Sequence, residues 1–521
     1  FGAVGVTPPA KLPAMEGWFG LCFIALCTPL ALWLLKLAGS KYKPQKHHQL
    51  PPGPWTLPII GSLHHVASAL PHRRMMDMSR RHGPLMHLML GEVPTVIVSS
   101  AEAAALVMRT NDPAFADRPQ SVTSDIFGCS GKNIGFAPYG DHWRQMRKVC
   151  IVELLSSRQV KRIESIRAEE VGNLLRSIAA LDGATVNVSE KMMELSNDIV
   201  TRAVFGGKFT QQEEYLRELD EAFALVSGFS PVDLFPSWRL VRWLSNDERR
   251  MRRCHGHIQR IIANVIEGRK AAGVGASSTD EEDLLDVLLR LQQEDSLEFP
   301  LTTEIIGAVL FDIFAGATST IGTTLTWAMS ELVRSPETMA KAQQEVREVL
   351  GQDRAVITNS DLAKPDYMQM IIKETLRFHP PASLVLRASI EDCTIMGYDI
   401  PKGTNVNINV FAISRDPAYW NNPEEFRPER FENNNTNYNG TYFEFTPFGA
   451  GRRQCPAIQF SSSVLEMTLT NILYHFNWKL PGGASPISLD MSEKFGLAVS
   501  KKYDLKLEAT PHLWFKAMRS K

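Results

Sequence analysis

Phe448-Gly449-Ala450-Gly451-Arg452-Arg453-Gln454-Cys455-Pro456-Ala457 is the stretch on which the reading of this chain turns. Glycines at 449 and 451 allow left-handed dihedrals, so the backbone can make a tight hairpin and pass close beneath a flat ligand without a Cβ in the way. Pro456 suits the first turn of a helix, where its missing N–H would be unpaired anyway, and an apolar, helix-compatible run begins at Ile458. Cys455 is therefore expected at a helix N-terminus. Dipole ends and unpaired N–H groups favour a thiolate there, and a thiolate can ligate a metal. Arg453, two residues upstream, offers a cation to a carboxylate. The alternative use of the same residues is a surface hairpin with an ordinary buried cysteine.

This stretch resembles the cysteine-ligand loop F-x-x-G-x-R-x-C-x-G of the haem-thiolate monooxygenases, the cytochrome P-450 superfamily, and departs from it only at Ala457, where Gly is usual. The resemblance runs from about Leu50 to the C-terminus, in the style of the plant microsomal members. It implies a mainly α fold with a small β region, and haem b held through its iron by Cys455, with Phe448 and Arg453 beside the cofactor.

Three further motifs bear on that resemblance. Trp143 and Arg147 are four residues apart, hence on one helical face, and an indole N–H beside a guanidinium suits a carboxylate. The matching family motif binds a haem propionate; by itself such a pair is more often surface packing. Glu374 and Arg377 form an E-x-x-R pair stopped by Pro380-Pro381, and Pro428-Glu429-Arg430-Phe431 supplies a further arginine. The resemblance makes Glu374, Arg377 and Arg430 a buried structural ion triad. It makes Arg387 another propionate-binding arginine.

The most informative departure lies in Phe311 to Trp327, F-D-I-F-A-G-A-T-S-T-I-G-T-T-L-T-W. Aligned without gaps between Asp312 and Trp327, the family's A-G-x-[DE]-T-[ST] falls on Gly316 to Ile321. Thr320 then occupies the oxygen-activation threonine, with Ser319 in place of the usual acid. A register shifted by one would give Ser319 the threonine role. A small-residue helix seam with hydroxyls bonded to the preceding turn is the bland reading.

The remaining sequence sets the context. A net charge of -1 gives no electrostatic case for nucleic acid, and seven scattered cysteines without a C-x-x-C pair argue for a reducing compartment. From Gly17 to Leu35 run nineteen uncharged residues, followed by Lys36, Lys41, Lys43 and Lys46. That run is long enough to span a bilayer with the downstream side in the cytosol. A cleavable signal peptide is the competing reading. The resemblance favours a single-pass anchor in the endoplasmic-reticulum membrane, so residues 1–49 are expected to be an N-terminal extension and anchor, and 50–521 the cytosolic catalytic domain. On one reading Met15 is the natural start and residues 1–14 are an upstream extension; on the other they belong to the protein. Pro51, Pro52 and Pro54 make a stiff elbow between the two parts. Thr95 to Val98 reads as strand, Ala101 to Leu350 as mostly helical, and Gly273 to Asp283 and Glu432 to Thr441 as surface loops. Asn187, Asn434 and Asn439 match glycosylation acceptors that a cytosolic body would leave unused.

The resemblance thus implies a monomeric, membrane-bound monooxygenase that uses O2 and electrons from an NADPH-dependent flavoprotein reductase. Arg144, Lys148 and Arg452 are candidates for the docking face. Pocket segments 121–133, 225–241, 308–317, 382–386 and 495–499 carry few charges, which points to a hydrophobic small-molecule substrate such as a terpenoid. Two rivals remain: a haem-thiolate isomerase or dehydratase acting on a peroxide, and a non-enzymatic haem or lipid-binding module.

Overall fold

The computed structural model describes residues 28, 49–226, 229–273, 282–351, 354–362 and 366–512. Apart from Thr28, the expected span 17–35 and its basic flank lie outside the described residues, as does most of the expected loop 273–283. Where the described chain resumes, Asp283 is not a loop residue in solvent. It is buried and caps the helix Leu284–Glu294 by accepting from Asp286 N at 2.9 Å.

Helices dominate, with four small sheets at the margins. In the largest sheet Val93–Val98 pairs antiparallel with Leu85–Leu90 and parallel with Asn405–Asn409, which in turn pairs antiparallel with Leu384–Ala388. A parallel pair needs a long crossover. Here the crossover contains most of the helices, so residues near 95 and near 400 share one sheet although some three hundred residues separate them. Pro94 stands near the start of its strand, where a missing donor costs least.

The helix Thr303–Arg334 runs through the centre. At 32 residues it is about 48 Å long at 1.5 Å per residue. Thr302 begins it by accepting from Ile305 N at 3.3 Å, and Ser335-Pro336 ends it. Its length and apolarity would suit a bilayer, yet 72% of its most apolar window is buried inside the protein. A helix apolar on all sides belongs in a core, and this one packs against Val188–Phe205 and Ile458–His475.

Helix Asp366–Phe378 carries the E-x-x-R pair into the interior. Arg377 donates to both oxygens of Glu374, Nε to Oε2 at 2.7 Å and Nη2 to Oε1 at 2.8 Å, and both side chains are fully buried. Arg430 Nε and the Arg427 N–H also reach Glu374 Oε1, at 2.9 and 2.8 Å. Arg377 spends its remaining donors on the carbonyls of Ser414, Pro423 and Glu425. The triad therefore pins the irregular segment 414–430, which leads into the cysteine loop, to the helical core.

Candidate active site

Gly449 and Gly451 adopt φ of 67° and 68°. A Cβ on Gly451 would lie 2.3 Å from Met108 O, which only glycine avoids, whereas one on Gly449 would meet nothing nearer than Val385 Cγ1 at 4.0 Å. Gly449 therefore leaves a cradle open on the side of Val385. Cys455 N donates to Phe448 O at 2.9 Å and closes the hairpin. Phe448 is half-buried and packs edge-on to Tyr438, with ring centroids 5.2 Å apart.

The helix after the loop begins at Ile458, with Pro456 and Ala457 in a turn before it. Cys455 thus lies short of the helical N-terminus expected for it. Burial pushes its thiol up, and the Ala457 N–H and the Arg147 guanidinium pull it back only in part. Coordination to a metal cation is one way to stabilise a thiolate at such a position.

Four guanidinium groups gather around this loop. Arg387 Nη2 donates to Ala450 O at 2.9 Å, and Arg147 Nη2 donates to Gln454 O. Arg453 donates to the carbonyls of Ala116, Ile134 and Ala137 at 2.7, 3.2 and 2.5 Å. The fourth, Arg118, donates through Nε to Gly135 O at 2.9 Å and through Nη1 to Leu386 O. Among the described residues none of the four pairs with a carboxylate, and Arg387 keeps Nε and Nη1 buried without a partner. Burial lowers all four; mutual repulsion adds to it at Arg118, Arg387 and Arg453, and the nearby Asp312, Asp117 and Asp112 offset it only in part, leaving Arg118 at about 10, Arg453 at about 9 and Arg387 well below its ordinary value. Positive charge that is only partly offset is costly to bury. It fits a ligand that brings carboxylates, and haem, with two propionates and an iron for Cys455, matches both demands.

Trp143 and Arg147 share a face of helix Asp141–Val149. The Trp143 N–H is already given to Ile134 O at 3.1 Å, and its ring lies 4.3 Å beneath the Arg453 guanidinium. Trp143 thus holds Arg453 through its face. Segment 133–137 is the hub: besides accepting from Trp143, Arg453 and Arg118, it donates to Asp312 on the central helix, from Ile134 N at 2.6 Å, Gly135 N at 2.9 Å and Asn133 Nδ2 at 2.8 Å. Burial raises the Asp312 carboxyl to about 6 despite these three donors.

On that helix Asp312, Ile313, Gly316 and Thr320 are incompletely covered, and Gly316 is exposed, while Phe314, Ala315, Ala317, Thr318 and Ser319 are buried. Spacings of three and four put the open residues on one face. Thr320 is thus on the open side, its Oγ1 donating to Gly316 O at 2.7 Å, and Ser319 is on the packed side with its hydroxyl unpartnered. The sequence motifs use Asp312 only to anchor an alignment and assign no role to Arg118 or Asn133. Only the Asp117-Arg118-Pro119 corner, a charged pair braced by a proline, hinted at one of them.

A family model described as Cytochrome P450 matches residues 51–507. The chain is 45% identical over 486 residues to Zealexin A1 synthase of Zea mays, covering 92% of this chain and 96% of that one. It is 41% identical over 501 residues to 5-epiaristolochene 1,3-dihydroxylase of Nicotiana tabacum, covering 95% and 99%. Among solved structures, a zebra fish cytochrome P450 with progesterone superposes with a TM-score of 0.73 at 25% identity, over 85% of this chain and 99% of that one.

Proposed function

The chain belongs to the cytochrome P450 family, and from that premise we propose that it is anchored in the endoplasmic-reticulum membrane by residues 1–49, that residues 50–521 oxidise a terpenoid-like hydrocarbon, and that Cys455, Phe448, Arg453, Arg387, Arg147 and Trp143 hold the cofactor while Thr320 and Ser319 handle protons. The family makes the protein a haem b monooxygenase of hydrophobic small molecules, dependent on O2 and a redox partner. The observation that supports the site assignment is the gathering of Arg118, Arg147, Arg387 and Arg453 around the Cys455 loop, none of them directly ion-paired with a carboxylate among the described residues.

Haem on a cysteine thiolate supplies activation of O2 and insertion of one oxygen atom into a C–H or C=C bond, the thiolate pushing electron density toward O–O cleavage. The chain's own residues do the rest. Arg387, with two free donors, and the neighbouring guanidiniums orient the propionates, as forked donors do for carboxylates. Thr320 Oγ1 now donates to Gly316 O, and by rotating it can present its proton to the open side. With Ser319 where an acid is usual, no carboxylate at that position feeds Thr320, and the Ser319 hydroxyl is one relay.

A dihydroxylase of 5-epiaristolochene and a premnaspirodiene oxygenase among the relatives favour an alkene hydrocarbon as substrate class. They give no support to a peroxide isomerase or to a non-enzymatic carrier. Electrons are expected from an NADPH-dependent flavoprotein reductase docking near Arg144, Lys148 and Arg452, all exposed on the side of the cysteine loop, although Arg144 is paired with Asp141 and Arg452 with Asp112. Reconstitution with the reductase, NADPH, 18O2 and 5-epiaristolochene or premnaspirodiene tests the reading. One labelled oxygen in a product formed only with NADPH supports it; product whose oxygen derives from an added hydroperoxide, without NADPH, would replace it with the isomerase reading.

A further inference from the structure

The hairpin made by Glu493–Lys494 and Ser500–Lys501 has only two residues on each side. So short a ladder is not stable by itself, and the placement of its tip, residues 495–499, has to come from anchors elsewhere. One anchor is at Val499: its N–H donates to Pro381 O at 2.9 Å, and its carbonyl accepts from Trp327 Nε1 at 2.9 Å. Trp327 lies about two turns beyond Thr320 on the central helix, and Pro381 opens the segment that leads to Arg387. The tip is thereby fastened next to the open face described above.

The second anchor joins the buried Glu493 and His72 to the partly exposed Arg73, His72 and Arg73 coming from the helix Pro71–His82. Arg73 grips Glu493 with two bonds, Nε to Oε2 at 2.7 Å and Nη2 to Oε1 at 2.7 Å, and His72 Nε2 lies 3.2 Å from Oε2. The Glu493 side chain is 3% exposed and that of His72 0%. Burial alone would raise the Glu493 carboxyl, but its bonds to Arg73 and His72 prevail and hold it well below the usual range. The His72 ring in turn stacks on Phe495 of the tip, centroids 5.5 Å apart at 18°, with Phe411 edge-on at 4.8 Å. Phe495 also meets Phe229, at 5.9 Å.

We propose that Glu493, acting through His72 and Arg73, is a positioning residue that fixes Phe495 and the 495–499 tip against the substrate, and so determines which shapes the site accepts. This rests on the haem-monooxygenase reading for its meaning but not for its geometry. The cluster touches no reacting atom; its effect passes through the ring it orients.

The test compares holoprotein carrying Glu493→Gln, which keeps the shape and removes the charge, with Arg73→Lys, which keeps the charge and loses the fork, and with Phe495→Ala. Amide exchange at residues 495–498 is expected to rise by about tenfold in Glu493→Gln, with the central helix unchanged. Soret titrations with imidazole, 2-phenylimidazole and 4-phenylimidazole read the consequence. Imidazole affinity stays at the wild-type value, and the ratio of the two phenylimidazole affinities moves by about threefold or more. Phe495→Ala moves the ratio the same way with Glu493 intact, and Arg73→Lys moves it less. If Glu493→Gln does not load haem, Arg73→Lys carries the comparison. Unchanged exchange overturns the anchor; faster exchange with an unchanged ratio overturns the role in specificity. A wild-type protein with no Soret response to imidazole would instead overturn the haem reading, with the exchange measurement still judging the anchor.

Discussion

At the scale of single residues, the chemistry depends on which side of the central helix Thr320 and Ser319 occupy. Thr320 faces the open side with a hydroxyl that can turn; Ser319 is packed away with a hydroxyl that has no partner. Thr320→Val keeps the shape and removes the proton, so product per NADPH is expected to fall by at least about tenfold while substrate binding holds, measured as product against NADPH and peroxide. Ser319→Val should fall less, since it disturbs only a relay. The motif spelled out both residues, but the side each one faces could not be read from letters: a helix of small residues has no apolar stripe to orient it. Arg118 was illegible for a related reason. Nothing in sequence marks which of many arginines will be buried, and its partners are carbonyls of Gly135 and Leu386, far along the chain.

Elements were easier to foresee than their joints. The central helix, the strand around Thr95–Val98 and the E-x-x-R helix follow from apolar patterning and from proline stops, and each stands where that patterning puts it. The placement of Cys455 relative to its helix did not follow, because Pro456 fits a turn as well as a first helical position, and the chain uses it in a turn. The joints that matter are polar. Glu374→Ala leaves Arg377 and Arg430 with buried, unanswered charge, a loss of about 3–5 kcal/mol. The expected result is low haem-loaded yield and a lowered melting temperature; normal loading with lost turnover would contradict a structural triad. Asp312→Ala removes the acceptor for Ile134 N and Gly135 N, each buried N–H left unmet costing about 1–3 kcal/mol. It is expected to loosen the 133–137 hub and to weaken haem retention, read as faster transfer of haem to apomyoglobin.

For the molecule as a whole, the proposed membrane anchor raises the question whether the catalytic body also meets lipid. The turn at Gly91-Glu92 joins two exposed apolar regions: Gly91 N donates to Ile60 O at 3.2 Å, and Glu92 N to Leu234 O at 2.9 Å. Trp55 and Ile59 are exposed on one side of that turn, and Trp238, Leu240, Trp243 and Leu244 on the other, Trp243 by 78%. Tryptophans beside the arginines at 239 and 242 suit a lipid interface. Protein lacking residues 1–49 is therefore expected to float with anionic liposomes. It should cease to when Trp238 and Trp243 become serine with haem loading intact. A truncated protein that never associates with liposomes would leave residues 1–49 as the sole anchor.

The whole catalytic proposal depends on this fold presenting the Cys455 thiolate to a haem iron. The ferrous carbon-monoxide spectrum of the full chain and of Cys455→Ser, at equal haem content, tests it most directly. The wild type is expected to give the red-shifted Soret band of thiolate ligation and Cys455→Ser to lose it, because an alcohol oxygen is a poor soft ligand; the same red-shifted band in both proteins would contradict the claim.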